Sequence, residues 1–205
     1  MNALATDISE NSSSIRISLI IATYNRADCL LRTLNSVAEQ SLNPVLYEII
    51  VVNNNSTDHT AETCHKFADG HTELHFHMVT EVRQGLSHAR NCGIAHASGD
   101  FFAIIDDDEL INRDFLKNYY DFFLTHPTVA ACGGIVTPLY EFTVPKWLSR
   151  YAERPIAGTL YYGEKIIPFP KGNFRNKIKR VKNDRIERRG ADGGSLALPG
   201  SKDLV

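Results

Sequence analysis

The sequence predicts an α/β protein with a mainly parallel, twisted sheet and helices on both of its faces. Short apolar runs of strand length alternate with segments in which apolar residues recur at helical spacing. Polar clusters directly follow three of these runs, as is typical of ligand sites at the carboxyl ends of parallel strands. With 205 residues, 43% of them hydrophobic and 22% charged, the chain is long enough to bury a sizeable core.

The first predicted strand covers residues 15–23, and a helix follows it. Apolar residues recur at helical spacing from Ala27 to Ala38, which predicts a helix with one face packed on the sheet. Asn25 is the expected N-cap of this helix, and Asp28 is suitably placed in its first turn.

The second and third predicted strands cover residues 47–52 and 74–79. Between them, the polar run 53–58 leads into a helical pattern, and either Ser56 or Thr57 is the expected N-cap of that helix. The order strand, loop, helix, strand is the one that produces parallel pairing.

The rest of the pattern continues the alternation. Ser87 is expected to open a third helix, for which Gly99 supplies the stop. The run 101–105 has the length and the aromatic and β-branched content of a strand buried on both faces. An aromatic-rich helix over 113–125 and a further strand over 129–136 follow it.

Four consecutive acids, residues 106–109, come directly after the run 101–105. Adjacent carboxylates are costly to bury, so the strand is expected to end where they begin, at an edge open to solvent or to a ligand. Asp106 and Asp108, two apart on an extended chain, are expected to point the same way and could share one divalent cation. A solvated acidic loop is the alternative interpretation.

Composition and spacing argue against several other classes of protein. A net charge of -2 gives no overall attraction to nucleic acid, and the four cysteines show no CxxC spacing that would indicate a zinc knuckle or a disulfide framework. A reducing compartment, the cytoplasm, fits this cysteine usage. No apolar stretch approaches the length of a membrane span. His75 and His77 lack a third ligand in sequence, so a half-exposed strand face is favoured over a metal pair.

The three polar clusters, residues 23–26, 53–58 and 106–109, are expected to meet at one edge of the sheet and form a cleft. With these residues assembled, the chain resembles the family 2 glycosyltransferases, which are inverting enzymes of the GT-A fold. The motifs that carry the resemblance stand in the same order and at similar spacing over about residues 15–147. They are IIATYNR at 20–26, EIIVVNNNSTD at 48–58, QGLSHARNCG at 84–93, and the strand that runs into Asp106-Asp107-Asp108.

The resemblance implies a nucleotide-sugar donor and assigns residues to it. In the family, the segment after the first strand holds the nucleobase and ribose, and an acid after the second strand accepts from the uracil ring. An amide, Asn53, stands at that acid position here, which weakens any claim to a UDP-sugar in particular. The implied nucleotide-sugar site consists of Ala22, Thr23, Tyr24, Arg26, Asn53, Asn55, Arg90 and Asp107.

The resemblance also implies a metal site. Asp106 and Asp108 match the family's DxD motif, which holds Mg²⁺ or Mn²⁺ against the diphosphate and so assists departure of the nucleoside diphosphate. Arg90 is expected to hold the acids and the cleft wall together, and contact with the substrate is the alternative. A dinucleotide-binding oxidoreductase would share the α/β pattern, but the first strand here lacks a glycine fingerprint.

The resemblance weakens toward the C-terminus. An inverting transferase needs a general base, which the family places in a Glu-Asp pair. Ser201 and Lys202 stand at that position here, and Asp203 is the nearby acid and the candidate base. The expected organisation is therefore a mobile lead-in over 1–14, a nucleotide-sugar-binding domain over 15–148 and a partial, truncated acceptor-side segment over 149–205.

Two functions follow from this organisation. The first is transfer of a sugar to a saccharide or lipid-linked acceptor, and the alternative is a nucleotide-sugar-binding remnant that lacks the general base. The basic run 171–189 is interpreted as a solvated tail, with contact to donor phosphates or to the inner face of an anionic membrane as alternatives. Few aromatic residues interleave with these charges, so nucleic acid is not expected as a partner.

Overall fold

The structure is a computed structural model that describes residues 15–134, 136–141 and 143. The chain divides at Thr128 into two compact units, and the described residues up to Thr128 belong to the first of them. All of the helices and strands given below lie in this first unit. Within the second unit, the described residues from Val129 onward form no helix or strand, so the predicted strand over 129–136 is wrong where it is described.

Within the described residues, four parallel strands form the sheet, in the order β3-β2-β1-β4. The strands are β1 (Ile17–Thr23), β2 (Tyr47–Asn53), β3 (His75–Thr80) and β4 (Phe101–Asp106). The predicted parallel α/β architecture is confirmed. Because all strands run in the same direction, their carboxyl ends share one edge, and the register places Thr23 of β1 beside Asn53 of β2.

In the part of the chain that the structure describes, four helices connect and follow the strands. They are α1 (Ala27–Ala38), α2 (Thr60–Gly70), α3 (Leu86–His96) and α4 (Phe115–Thr125), and a short 3₁₀ turn at Pro44–Leu46 precedes β2. None of the helices in the described ranges is both long enough and apolar enough to span a membrane.

The core has two layers, one on each face of the sheet. Alternate residues of β1 and β2 point to opposite faces, and both faces are covered, which is why both strands are mainly apolar and fully buried. The larger layer joins the sheet to α1, α2 and α4 and includes Leu19, Ile21, Leu30, Leu34, Ile49, Val51, Phe67 and Leu116. The smaller layer lies under α3 and consists of Ile20, Ala22, Ile50, Val52, Ala89 and Ile94.

Two glycines allow close approach between α3, its following loop and the sheet. A Cβ on Gly93 would lie 2.4 Å from Ile20 Cγ2, so α3 can pack this closely on β1 because position 93 has no side chain. Gly99 was expected to stop α3, but the helix already ends at His96. A Cβ on Gly99 would lie 2.9 Å from backbone atoms of Ile17 and Ser18, so this glycine serves close packing instead.

The fourth strand differs from its prediction. Residues 101–105 were expected to be buried on both faces, yet of these residues Ile105 alone is buried and the other four are half-buried. Among the described strands β4 lies at the edge of the sheet, so its outer side has no strand neighbour there. His75 and His77 are exposed on β3 at the opposite edge, in agreement with a half-exposed strand face.

Candidate functional site

Three loops meet at the carboxyl edge of the sheet, as the polar clusters predicted. The loops after β1 and β2 are neighbours because Thr23 pairs with Asn53, and the backbone amide of Asn54 donates to the carbonyl of Thr23 at 2.9 Å. On the other side of β1, Ala22 pairs with Asp106, the last residue of β4. The expectation of convergence at one edge is confirmed.

Asn25 and Asp58 join the first two loops through their side chains. Asn25 has a left-handed backbone (φ 52°), and its Oδ1 accepts from the amides of Thr57 at 2.7 Å and Asp58 at 3.3 Å. In return, Asp58 Oδ2 accepts from the amide of Ala27 at 3.2 Å, while its Oδ1 accepts from the amide of Thr60 at 3.0 Å.

The helix caps predicted from local sequence are therefore wrong. Neither Asn25 nor a side chain of Ser56 or Thr57 caps its own helix, since Asp58 supplies oxygen to the first residue of both α1 and α2. Desolvation raises the pKa of Asp58, but the hydrogen bonds from Thr60 and Ala27 outweigh it, and the pKa lies below its ordinary value. The charged carboxylate is the form that fits this position.

The acidic run turns rather than extends. The amide of Glu109 donates to the carbonyl of Asp106 at 3.2 Å, which closes a turn, so the expectation of an extended Asp106–Asp108 segment is wrong. Asp107 is consequently buried, whereas the side chains of Asp106 and Asp108 keep exposed fractions of 48% and 47%. The two flanking aspartates are thus accessible at the carboxyl edge of the sheet.

Asp107 is fixed by contacts with the end of β1, with the loop that follows it and with α1. Thr23 Oγ1 donates to its Oδ2 at 2.7 Å, Arg26 Nη1 lies 3.0 Å from its Oδ1, and Thr33 Oγ1 donates to its carbonyl at 2.8 Å. Burial raises the pKa of Asp107, and the bond from Thr23 and the charge of Arg26 oppose that rise. This carboxyl group anchors the acidic run to β1.

Two arginines face the acidic run. Arg26 spans Asp107 and Asp108, with Nη2 2.8 Å from Asp108 Oδ2, and this hydrogen bond raises the pKa of Arg26. Arg90, on α3, places Nη2 2.7 Å from Asp106 Oδ1. This ion pair agrees with the expectation that Arg90 holds the acidic run in place.

Glu109 turns back toward the strand. Its Oε2 accepts from the amide of Asp106 at 3.2 Å, and burial raises its pKa, opposed by the hydrogen bond and by Arg90. The oxygens left accessible for a cation are those of Asp106 and Asp108, and carboxylate oxygens are ligands that Mg²⁺ and Mn²⁺ prefer. Within the described ranges, no group of three His, Cys, Asp or Glu side chains is arranged to hold a metal ion.

The loop after β2 is built from asparagines. Asn53 is buried, and its Oδ1 accepts from the amide of Ser56 at 2.8 Å. The Nδ2 of Asn54 donates to the carbonyls of Glu81 and Arg83, both at 2.8 Å, and its Oδ1 accepts from the amide of Gly85. Asn55 is exposed in a left-handed conformation (φ 63°). Asn54 therefore fixes the loop that precedes α3.

The structure places most of the residues predicted for the site at this edge. Thr23, Arg26, Asp107 and Asp108 are joined by direct contacts, and Arg90 reaches Asp106. Ala22 and Asn53 lie in register beside them, and Tyr24 and Asn55 are exposed on the same two loops. Asp203 and the basic run 171–189 lie outside the described residues.

Sequence reasoning missed four positioning residues: Asn54, Asp58, Thr33 and Glu109. Asn54 and Asp58 lie in the polar cluster 53–58. Asn and Asp side chains often form hydrogen bonds with nearby backbone groups, and this tendency is the sequence signal that could have indicated their role. Thr33 lies inside an amphipathic helix, where nothing in the local pattern separates it from other buried polar residues.

Comparison with known proteins decides the family. The sequence model described as Glycosyl transferase family 2 matches residues 18–188, which is more than half of the chain. The chain belongs to this family. Its motifs lie within the matched region, as does the sheet of the described residues except for Ile17, the first residue of β1.

Characterised relatives cover part of the chain and are themselves longer. The glycosyltransferase AglE of Haloferax volcanii is 36% identical over 129 residues, which is 63% of this chain and 40% of AglE. The glycosyltransferase GlyA of Streptococcus pneumoniae is 30% identical over 119 residues, or 58% of this chain and 16% of GlyA. The chain thus spans less than half the length of these two relatives.

Solved structures agree with the fold. Residues 1–349 of Staphylococcus aureus TarS, in complex with UDP-GlcNAc, match with a TM-score of 0.51 and 29% identity over 55% of this chain and 32% of that one. The mannosyltransferase PcManGT of Pyrobaculum calidifontis, in complex with GDP-Man and Mn²⁺, matches with a TM-score of 0.51 and 34% identity over 53% and 32%. The predicted GT-A-type sheet is confirmed by these neighbours.

Proposed function

We propose that this chain transfers a sugar from a nucleoside diphosphate sugar to an acceptor hydroxyl, with inversion at the anomeric carbon. The observation that carries the proposal is the meeting of Asp106 and Asp108 with the Thr23–Arg26 loop and Asn53 at one sheet edge. Family membership supports it, as do the donors in the TarS and PcManGT complexes.

A divalent cation, Mg²⁺ or Mn²⁺, is proposed to bind at Asp106 and Asp108. Asp106 and Asp108 present half-exposed carboxylates whose partners are cationic side chains, so the site already selects positive charge. When bound there, the ion would neutralise negative charge on the departing nucleoside diphosphate. Because three protein ligands do not converge within the described ranges, phosphate and water oxygens would complete the coordination.

The nucleoside is proposed to lie against the loops after β1 and β2. Ala22, Thr23 and Tyr24 line one side, and Asn53 and Asn55 line the other. Since Asn53 Oδ1 is already bonded to the Ser56 amide, its NH₂ is the group left to meet a base edge, and that group is a donor. We therefore do not restrict the donor to a uridine nucleotide. Arg90 pairs with Asp106, and Asp107 pairs with Arg26. We propose that these two pairs position the residues that lie beside the diphosphate.

The acceptor is proposed to be a saccharide or a lipid-linked saccharide. AglE and GlyA are glycosyltransferases by name, and the matched segment covers a minor part of each. Asp203 remains our prediction for the general base. The basic run 171–189 remains interpreted as a solvated tail, with contact to an anionic membrane that carries the acceptor as an alternative. Both lie outside the described residues.

The experiment is turnover of a panel of UDP- and GDP-sugars in the presence of Mn²⁺, comparing the wild type with two variants. Asp108→Ala is expected to abolish metal-dependent donor cleavage. Asp121→Ala is the matched control, because Asp121 also carries an exposed ion pair, to Lys117 on α4, away from the three loops. No turnover with any donor, or equal turnover in Asp108→Ala, would contradict the proposal. Metal-dependent binding without turnover would favour the nucleotide-sugar-binding remnant.

A further inference from the structure

Arg26 holds two different kinds of partner with one guanidinium group. Its Nη1 lies 3.0 Å from Asp107, which is buried and fixed by Thr23, and its Nη2 lies 2.8 Å from Asp108, which is half-exposed at the edge of the sheet. Arg26 itself precedes α1 and is 45% exposed. One contact is therefore an interior anchor, and the other can be exchanged with solvent or a ligand.

The charges around the acidic run leave room for one divalent ion. The acidic run 106–109 has four carboxyl groups, and those of Asp106, Asp107 and Asp108 pair with Arg26 or Arg90. Two arginines against four carboxylates leave two negative charges uncompensated when all four are ionised. A divalent cation would match that charge. Arg26 already contacts Asp108 Oδ2, so a cation that takes this oxygen displaces the guanidinium from it.

We infer that Arg26 is an internal counter-ion that exchanges partners: it gives up Asp108 to the cation and then binds a phosphate oxygen of the nucleoside diphosphate. This inference rests on the proposed function. Asp107 would remain the pivot, because it is buried and retains its bond from Thr23. Arginine suits the role because its planar fork of N–H donors can hold a carboxylate on one edge and a phosphate on the other.

The exchange predicts effects of opposite sign on two ligands. Without Arg26, the cation meets an acidic run that has lost its competitor, so binding of the cation alone becomes tighter. The nucleoside diphosphate loses a phosphate contact, so its binding in the presence of the cation becomes weaker. A residue that merely supports the fold would weaken both, and a residue that contacts the nucleotide alone would leave the cation unaffected.

The test uses Arg26→Gln in the full chain. Free Mn²⁺ is followed by its electron paramagnetic resonance signal at fixed ionic strength, first with Mn²⁺ alone. UDP and GDP are then titrated at saturating Mn²⁺ by calorimetry. From the typical free energy of a well-formed ion pair, we expect Arg26→Gln to bind Mn²⁺ about fivefold more tightly than the wild type. We expect it to bind the nucleotide that the wild type binds about tenfold more weakly. Arg26→Lys, which keeps the charge without the fork, should leave Mn²⁺ affinity near wild type and still weaken the nucleotide.

Arg16→Gln is the matched control. Arg16 makes an ion pair of the same length, 2.8 Å, with Asp100 at the amino end of the sheet, and it is exposed to a similar extent (41%). Equal Mn²⁺ affinity in Arg26→Gln and Arg16→Gln, with nucleotide binding retained, would overturn the exchange and leave the proposed function standing. Absence of Mn²⁺ and nucleotide binding in the wild type would overturn both.

Discussion

Asn25 and Asp58 each complete the other's loop, although 33 residues separate them. The Asn25 oxygen accepts from the Asp58 amide, and the Asp58 carboxylate accepts from the amide of Ala27, two residues after Asn25. This reciprocal pairing fixes the loops after β1 and β2 relative to each other. The candidate nucleotide site is thus positioned by hydrogen bonds between loops as well as by the sheet.

Replacing Asn25 should measure that pairing. Asn25→Ala removes the oxygen that accepts from the amides of Thr57 and Asp58. It also places alanine at φ 52°, a left-handed conformation that asparagine adopts more readily. We therefore expect a loss of about 1–2 kcal/mol in the free energy of unfolding. Urea denaturation checks it. Asn25→Gly keeps the left-handed freedom and should lose less. An Asn25→Ala protein as stable as the wild type would show that the pairing contributes nothing.

Thr23→Val tests the anchor of the acidic run. The substitution preserves shape but removes the donor to Asp107, leaving a buried carboxylate short of a partner, and we expect a loss of about 1–3 kcal/mol. The pKa of Asp107, already raised by burial, should rise further because the Thr23 bond lowers it. Thr125→Val removes an exposed hydroxyl at the end of α4 and is the control, expected to stay close to wild type. Equal stability of the two variants would contradict the anchor.

Gly93→Ala tests the contact of α3 with β1. The added methyl would meet Ile20 at 2.4 Å, so α3 must shift, and we expect a loss of about 1–3 kcal/mol despite alanine's better helix propensity. Gly70→Ala is the matched control at the last residue of α2, where no atom lies within 4 Å of the new Cβ. Thermal melting of the two variants should separate them. If Gly93→Ala melted at or above the wild-type temperature, this packing would be contradicted.

Glu81 should make stability depend on acid pH. Hydrogen bonds from the Arg83 side chain and amide lower the pKa of Glu81 to about 2, from an ordinary value of 4.5. Since the folded state binds this proton less readily than the unfolded state, the stabilisation is present above pH 4.5 and is lost as pH falls toward 2. Melting temperatures between pH 5 and 2 should therefore fall less steeply in Glu81→Gln than in the wild type.

A matched comparison strengthens the pH experiment. Glu62 pairs with Lys66 on the exposed side of α2, and that hydrogen bond lowers its pKa as well. Glu62 and Lys66 lie one helical turn apart and are both exposed, and such pairs contribute little to stability. Glu62→Gln should therefore change the dependence of melting temperature on pH less than Glu81→Gln. Parallel profiles for wild type and Glu81→Gln would rule out the assigned role of Glu81.

The strands and helices were predictable because their signals are local. β1 and β2 are mainly apolar runs of strand length, and α1 repeats apolar residues on one face, so the alternation of the two patterns predicts the parallel architecture. The edge position of β4 was not predictable in this way. Burial of a strand depends on which strand lies beside it, and a single sequence carries no direct record of that neighbour.

The site was predicted in outline and missed in its hydrogen bonding. Position at strand ends was enough to bring Thr23, Asn53 and the acidic run together. Local capping rules failed at Asn25 because its partners lie on another loop, which becomes adjacent only when β1 pairs with β2. The orientation of Asp107 was missed for a related reason, since the turn closed by Glu109 directs it inward to Thr23.

The central claim is that Asp106 and Asp108 bind a divalent cation together with a nucleoside diphosphate. The most direct measurement is the melting temperature of the wild type and of Asp108→Asn with UDP or GDP, each with and without Mn²⁺, because a ligand that binds the native state raises it. We predict a rise with at least one nucleotide that requires Mn²⁺, disappears in Asp108→Asn and persists in Asp121→Asn. No rise with either nucleotide, or an equal rise without Mn²⁺ and in Asp108→Asn, would contradict the claim.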